Sequence, residues 1–239
     1  MCTVIVRVPA DPAEPTRVLA VRDEDPGRAW DPPGHWWPEL PDVVGVRDVR
    51  AGGAWLAADA SERRLAVILN RHDVPGATAS RGAIVLDAVE GRPPADPRTN
   101  GFNLVTVEAG GTRVTSWDGA SVRDVDLSPG VHMIAHDDVD DPATPRIARW
   151  LPDFAASELE AAPWWRGWLG VLAGTARLDP TDDEAIVRDN RPHGVPTLSL
   201  LVCAASVTAD DVRIVSGTLD RPGQWNDLDL RPPLPRLGG

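Results

Sequence analysis

This chain of 239 residues contains many short segments that are rich in β-branched residues and separated by turn residues, and this pattern restricts its possible folds more than any other. Each segment is rich in apolar and β-branched residues and is bounded by Gly, Pro, Asp or Asn, as is typical of β-strands. The segments are VIVRV, RVLAVR, AWLAA, LAVILN, FNLVTVE, TRVTSW, VHMIA, TLSLLVCA and DVRIVSG. The 24 prolines and 21 glycines punctuate the chain throughout. A sheet-rich protein is therefore predicted.

Helical patterns are fewer. The stretch 80–91 begins with Ser80 as N-cap and places apolar residues on one face, namely Ile84, Val85, Ala88 and Val89. A second helix is predicted to begin at Asp141-Pro142, and a third stretch, 154–176, is predicted to be helical with an interruption at Pro163. Thr181 and Glu184 have the spacing of a capping box. This element order predicts an α+β fold, with antiparallel sheets covered by helices and one domain over residues 1–239.

Composition excludes several classes of function. Arginine accounts for all 24 basic residues, so a mechanism that needs a Schiff-base lysine or a phosphate-loop lysine is excluded. The formal net charge of −12 has the wrong sign for gripping nucleic acid or an anionic membrane. The longest apolar run, LSLLVCAASV, is too short to span a bilayer. We expect a cytoplasmic protein with a small-molecule substrate or ligand, without nucleic acid or membrane insertion.

One of the two cysteines, Cys2, follows the initiator methionine. Aminopeptidases remove Met1 when the next residue is small, and the product would carry a thiol and a free α-amine on one residue. The amine titrates near pH 7.7–8.0 and can act as the base that activates the thiol. From the sequence position alone, burial in a first strand explains the same residue more simply, because Val4 and Val6 share its parity. Both interpretations stay open at this point.

Five motifs that follow one another along the chain favour one of these two interpretations of Cys2. They are VLAVRDEDPGRAW, AGGAWLAAD, LAVILNRHD, SRGAIVLDAVEG and GFNLV, and the initial Met-Cys precedes them. Together they resemble the NRDE family, which includes relatives of transport and Golgi organisation protein two. The resemblance covers the first two-thirds of the chain and becomes thin after Arg149. It implies a four-layer αββα sandwich of the N-terminal-nucleophile hydrolase type.

The resemblance also implies roles for individual residues. Cys2 would be the nucleophile, and Arg22 would lower the pKa of its thiol by charge. Asp23 would orient the α-amine, and Asn70 would donate a hydrogen bond to the oxyanion of a tetrahedral intermediate.

Three positions depart from the family pattern. Val21 replaces the first Asn of the Asn-Arg-Asp-Glu motif, and His136 stands at the position of a second oxyanion donor. Pro196 stands where the family has an arginine near the C-terminus, and Arg191 is the predicted substitute. These departures favour a non-catalytic relative of the family over direct transfer of its catalytic activity.

Histidines and tryptophans offer a different chemistry. His132 and His136 share a face, so the pair is a candidate for haem ligation, although packing explains it more simply because no third ligand stands nearby. His35, Trp36 and Trp37 lie in a proline-rich loop, where the indoles either line a substrate site or hold the loop down. No bound metal is predicted.

Two functional hypotheses follow. The first is an N-terminal-cysteine amidohydrolase or acyltransferase that acts on a small amide or acylated amine through an acyl-enzyme on Cys2, without a cofactor. The alternative is a non-catalytic binding or trafficking protein for haem or another hydrophobic ligand on the same fold.

Overall fold

The computed structural model describes residues 2–95, 97–159 and 163–233. Within these residues the chain forms two antiparallel sheets, one of five strands and one of seven, together with three α-helices and one short 3₁₀ helix, Arg191–His193. No helix among the described residues is long and apolar enough to cross a membrane.

The five-stranded sheet combines the two ends of the described chain with a strand from its middle. Its strands are β1 (Thr3–Val8), β2 (Thr16–Glu24), β10 (Gly130–Ile134), β11 (Leu198–Val207) and β12 (Val212–Thr218). Their order in the sheet is β10-β1-β2-β11-β12. The first strand therefore lies between β2 and β10, and the start of the chain is placed inside the sheet.

The seven-stranded sheet follows the order of the sequence. It consists of β3 (Trp30–Gly34), β4 (Val43–Asp48), β5 (Ala54–Asp59), β6 (Arg64–Asn70), β7 (Phe102–Glu108), β8 (Gly111–Trp117) and β9 (Val122–Asp126). Its central strands are almost wholly buried, as expected for a sheet that is covered on both faces.

Helices cover the outer faces of both sheets. The helix α1 (Gly82–Val89) packs on β5, β6 and β7, whereas α2 (Pro145–Ala156) and α3 (Trp165–Thr175) pack on the five-stranded sheet. The two faces of β1 show the layers directly. Val4 and Val6 contact the apolar core between the sheets, and Ile5 contacts the core beneath α2 and α3. The result is the four-layer αββα sandwich that the resemblance implied.

All nine predicted strand segments form strands, and three further strands were missed. Pro32 and Pro33 in β3 argue against a strand, but β3 is an edge strand, where a missing N–H is tolerated. β9 is the opposite edge, and its mostly exposed residues give no apolar alternation. Gly45 interrupts the apolar pattern of β4, and its missing β-carbon admits the backbone of Leu56 and Ala57.

The predicted helix starts need correction. The first helix buries the four predicted side chains, but it begins at Gly82 with Arg81 rather than Ser80 at the N-cap position. The second begins at Pro145 rather than at Asp141, because the Asp141 carboxylate accepts a hydrogen bond from the Ala143 N–H in a preceding turn. The capping-box prediction is wrong. Thr181 donates its hydroxyl hydrogen to Asp179 at 2.6 Å, and the residues that follow form turns rather than a helix. Residues 160–162, within the predicted stretch 154–176, lie outside the described residues.

Candidate functional site

Cys2 lies immediately before β1 and is 6% exposed. Thr3 pairs with Val21 and Val4 pairs with Ile134, so continuation of the two registers places Cys2 beside Arg22 on one side and His136 on the other. The backbone N–H of Asp23 donates to Cys2 Sγ at 3.3 Å, and the thiol lies 3.5 Å from the Asp23 carbonyl oxygen. The fold therefore brings Cys2, Arg22 and Asp23 together. It places His136 on the other side of Cys2, next to the end of β10.

Asp23 is 6% exposed, and neutral donors from two other residues contact its carboxylate. The Ser199 hydroxyl donates to Asp23 Oδ1 at 2.6 Å, and the Asn190 amide donates to Oδ2 at 3.2 Å. A register shift in β11 between Ser199 and Leu201 accompanies this placement of Ser199 opposite Asp23. Arg188 Nε in turn donates to the Asn190 side-chain oxygen at 3.0 Å. A chain of buried hydrogen bonds thus fixes the carboxylate next to Cys2.

A second buried arginine, Arg146 of α2, joins this polar cluster. Burial lowers the pKa of its guanidinium to about 10, and the like charge of Arg188 acts in the same direction, whereas the charge of Asp23 opposes it. Arg146 Nη2 lies 3.2 Å from His136 Nδ1, and His136 Nε2 lies 3.1 Å from the Asp137 carboxylate. Burial, followed by the charge of Arg146, lowers the pKa of His136. The ring is therefore neutral at pH 7, with Nδ1 as the acceptor toward Arg146.

Arg22 does not make Cys2 a thiolate on its own. Burial raises the pKa of the Cys2 thiol, and the negative charge of Asp23 raises it further. The charge of Arg22 lowers it, as predicted, but this effect is smaller than that of burial. The expected direction of the Arg22 effect is therefore confirmed, but the net shift of the thiol pKa is upward because burial outweighs it. At neutral pH the thiol retains its proton until a base removes it.

Arg22 forms one wall of a cleft of about 470 Å³. Its guanidinium lies 5.2 Å from the ring centre of Trp30 and 5.9 Å from that of Trp55, and it pairs with Glu24 at 3.2 Å. Asn70, the exposed last residue of β6, lines the same cleft, as does Arg81 at the start of α1. Asn70, the predicted oxyanion donor, and Arg22, the cation predicted to act on Cys2, therefore line the same cleft.

The predicted substrate-binding residues in the 35–37 loop lie elsewhere. The Trp37 indole is 5% exposed and donates to the Gly52 carbonyl at 2.8 Å. The Trp36 indole donates to the Pro32 carbonyl at 2.8 Å, beneath the guanidinium of Arg47. His35 is exposed. None of the three is among the described residues that line the cleft, and the two indoles hold the loop down.

Arg191, the predicted substitute for the family's arginine, points into solvent. It forms an ion pair with Asp189 at 2.6 Å and its side chain is 63% exposed. The buried arginine of this segment is Arg188, which is 3% exposed and is connected to Asp23 through Asn190. The arginine that reaches the cluster is thus three residues earlier than the predicted one.

Both ring nitrogens of His132 have partners. Nδ1 lies 2.7 Å from the Asp140 carboxylate and Nε2 lies 2.8 Å from the Ser128 carbonyl oxygen. The hydrogen bond to Asp140 raises the pKa of His132. Across the part of the chain that the structure describes, no group of three or more His, Cys, Asp and Glu side chains is arranged to hold a metal ion.

Four polar residues of the cluster were not predicted from the sequence: Arg146, Arg188, Asn190 and Ser199. The available signal was weak. Ser199 is a hydroxyl within the apolar run TLSLLVCA, and the RDN stretch follows the apolar residues Ala185, Ile186 and Val187. Each is also compatible with an ordinary strand or turn, and only their meeting at Asp23 distinguishes them.

Comparison with known proteins identifies the family of the chain. No curated protein matches the chain. The model of one family, Transport and Golgi organisation 2, matches residues 1–158, which include Cys2, Arg22, Asp23, Asn70 and His136. This match covers well over half of the sequence, and the sandwich of two antiparallel sheets is the architecture implied by the resemblance. The chain therefore belongs to the Transport and Golgi organisation 2 family.

Proposed function

We propose that the protein, once Met1 has been removed, is an N-terminal-cysteine amidohydrolase or acyltransferase. Its substrate would be a small amide or acylated amine, and the acyl group would pass through a thioester on Cys2. The observation that carries the proposal is the contact between Cys2 Sγ and the backbone of Asp23, whose carboxylate is buried and held by Ser199 and Asn190.

The raised pKa of the thiol explains why a base within the same residue would matter. An α-amine with a pKa near 8 accepts the thiol proton at neutral pH, and the sulfur then attacks the substrate carbonyl carbon. As the C–N bond breaks, the ammonium returns its proton to the leaving amine. Water, or a second amine, then attacks the thioester, releases the acyl group and restores the thiol.

The surrounding residues have distinct tasks in this proposal. Asp23 and the neutral His136 flank the start of β1, where a carboxylate orients the ammonium that forms during the reaction. The positive charges of Arg146 and Arg188, close to the same point, would disfavour the ammonium form of the resting enzyme and so keep the amine neutral and able to act as a base. Asn70, on the cleft, would donate to the oxyanion, a role typically associated with about 3 kcal/mol of transition-state stabilisation.

Intact mass of the protein purified from its native host tests the first requirement. A mass short by one methionine is expected, and a full-length mass would remove the mechanism, because the proposed base would be tied up in a peptide bond.

An activated ester, p-nitrophenyl acetate, tests the second requirement. We expect one acetyl group on Cys2, identified by peptide mapping, and none on Cys2→Ala. Cys203→Ala is the matched control, because Cys203 is equally buried in β11 and has no proposed role, so it should acetylate like the parent. A variant with a glutamate inserted before Cys2 retains its initiator methionine and should not acetylate at neutral pH. Equal acetylation of Cys2→Ala would contradict the proposal.

The alternative, a carrier of haem or another hydrophobic ligand, has less support. It would require His132 to give up hydrogen bonds to Asp140 and Ser128, and His136 to give up its contacts with Arg146 and Asp137. A haem titration followed by absorbance, with each histidine replaced in turn, tests it.

A further inference from the structure

The cleft beside Arg22 concentrates positive charge in an acidic protein. Four guanidinium groups line it, those of Arg22, Arg28, Arg50 and Arg81, against two carboxylates, Glu24 and Asp48. Both carboxylates already pair within the wall, Glu24 with Arg22 and Asp48 with Arg28. The whole chain carries a formal net charge of −12, so this local excess of cations is opposite in sign to the rest of the molecule.

Two buried donors on the cleft wall have no acceptor among the described residues. They are Nη1 of Arg22, whose residue is 2% exposed, and Nε1 of Trp55, whose residue is 7% exposed. The two side chains face each other, with the Arg22 guanidinium 5.9 Å from the Trp55 ring centre. Buried donors are nearly always satisfied in native proteins, so a pair of them on one cleft wall points to an acceptor brought by a ligand.

Arg81 is a further donor on the same cleft, and its side chain is only partly buried. Its Nη1 donates to the Gly101 carbonyl at 3.0 Å, and burial lowers the pKa of its guanidinium. Within the described residues it forms no ion pair shorter than 4.0 Å, although it lines the same cleft as Arg22 and Trp55. A planar guanidinium with free N–H groups matches the two oxygens of a carboxylate or the oxygens of a phosphate.

We propose that this cleft binds an oxyanion group of the substrate, a carboxylate or a phosphate, through Arg81, Arg22 and the Trp55 indole N–H. A volume of about 470 Å³ suits a small molecule. The substrate class is then an acylated amine that carries a negative charge, such as an N-acyl amino acid. The anion site is inferred from the cleft alone and does not depend on the proposed function. Only the inference that the bound substrate is an amide rests on that function.

Calorimetric titration of the Cys2→Ala protein tests the inference without catalysis. The probes are N-acetylglycine and its neutral isostere N-acetylglycinamide. At low salt we expect N-acetylglycine to bind at least about tenfold more tightly than N-acetylglycinamide, because only the acid can accept a charge-assisted hydrogen bond. Separate titrations with acetate and inorganic phosphate compare the two oxyanions, and the tighter one identifies the group.

Two variants in the Cys2→Ala background locate the site. Trp55→Phe removes only the indole N–H and keeps a ring against Arg22, and Arg81→Gln removes the charge. Each should weaken the acid about tenfold and leave the amide unchanged. Arg213→Gln is the matched control and should change neither, because the Arg213 side chain is 80% exposed and is not among the described residues that line the cleft. Thermal unfolding of every variant verifies that it is folded.

Equal binding of acid and amide, absence of binding by every anion, or unchanged acid affinity in both folded variants would overturn the inference. These outcomes are distinct from failure of the proposed function. Anion binding without acetylation of Cys2 would contradict only the function, and acetylation without anion preference would contradict only the anion site.

Discussion

Gly53 and Gly82 meet backbone to backbone where the first turn of α1 lies against the start of β5. A β-carbon on Gly53 would lie 2.3 Å from the Gly82 carbonyl carbon, a distance that real β-carbons do not reach. These glycines belong to two of the motifs that carry the family resemblance, AGGAWL and SRGAIV. Their contact fixes the position of Arg81, directly before α1, on the wall of the cleft.

Gly53→Ala should therefore destabilise the protein by about 1 to 3 kcal/mol, because the methyl group forces the helix and strand apart. Urea denaturation measures the change. Gly170→Ala is the control, since Gly170 lies in α3 with open space around it, and alanine there should stabilise the protein by up to about 1 kcal/mol. An unchanged free energy of unfolding for Gly53→Ala would show that α1 shifts without cost.

Asp23→Asn should destabilise the protein by about 2 to 4 kcal/mol. The change removes the charge that faces the buried cations Arg146 and Arg188, and it places an amide group against the donor of Asn190. It should also abolish acetylation of Cys2. Asp11→Asn is a suitable comparison, because Asp11 is exposed and asparagine can still accept the hydrogen bond from the Ala13 N–H. Its stability should stay within about 0.5 kcal/mol of the parent. Retention of parental stability and acetylation by Asp23→Asn would argue against the role of the carboxylate.

The raised thiol pKa predicts slow alkylation of Cys2 at neutral pH as long as Met1 is present. Removal of Met1 should accelerate the reaction with iodoacetamide, because the amine can then accept the proton. Peptide mapping at several pH values gives the rate for each cysteine. Cys203 is an internal control: burial raises the pKa of its thiol to about 12, so it should stay unreactive in both forms. Identical Cys2 rates in the two forms would mean that the amine does not activate the thiol.

The pair formed by His132 and Asp140 should make stability depend on pH. The pKa of His132 is raised in the folded state, so its contribution is fully present below the unfolded pKa, near 6.5, and is lost as the pH rises through the folded pKa. The free energy of unfolding should therefore fall more steeply between pH 6 and pH 8.5 in the parent than in His132→Gln.

Asp140→Asn offers a matched test of the same pair. Asp140 has a φ of 55°, a conformation that asparagine tolerates, and an asparagine oxygen can still accept the hydrogen bond from the Met133 N–H. This variant should lose the same part of the pH dependence as His132→Gln. A parental profile in both variants would exclude the pair as its source.

Strand content could be predicted because it is local. Alternating apolar residues between turn residues appear in any window of the sequence, and all nine predicted segments are strands. The proline-containing edge strand β3 and the exposed edge strand β9 could not be found in this way, because edge positions relax the rules on which the prediction depends. The helix start at Pro145 was missed because the competing turn at Asp141 uses the same residue types as a helix cap.

Within the candidate site, Cys2, Arg22 and Asp23 were predicted from the sequence through its resemblance to a family, and the structure shows why they meet: pairing of β1 with β2 brings the start of one strand to the end of the other. The polar residues that surround these three depend on long-range contacts, which local sequence patterns do not encode. Ser199 and Asn190 reach Asp23 across separations of 176 and 167 residues, through the register of β11 and its bulge. The same holds for the choice of Arg188 over Arg191 and for the packing of Trp36 and Trp37 away from the cleft. Local patterns encode which residues pair in a hairpin, whereas contacts between distant strands depend on the packing of the whole sandwich.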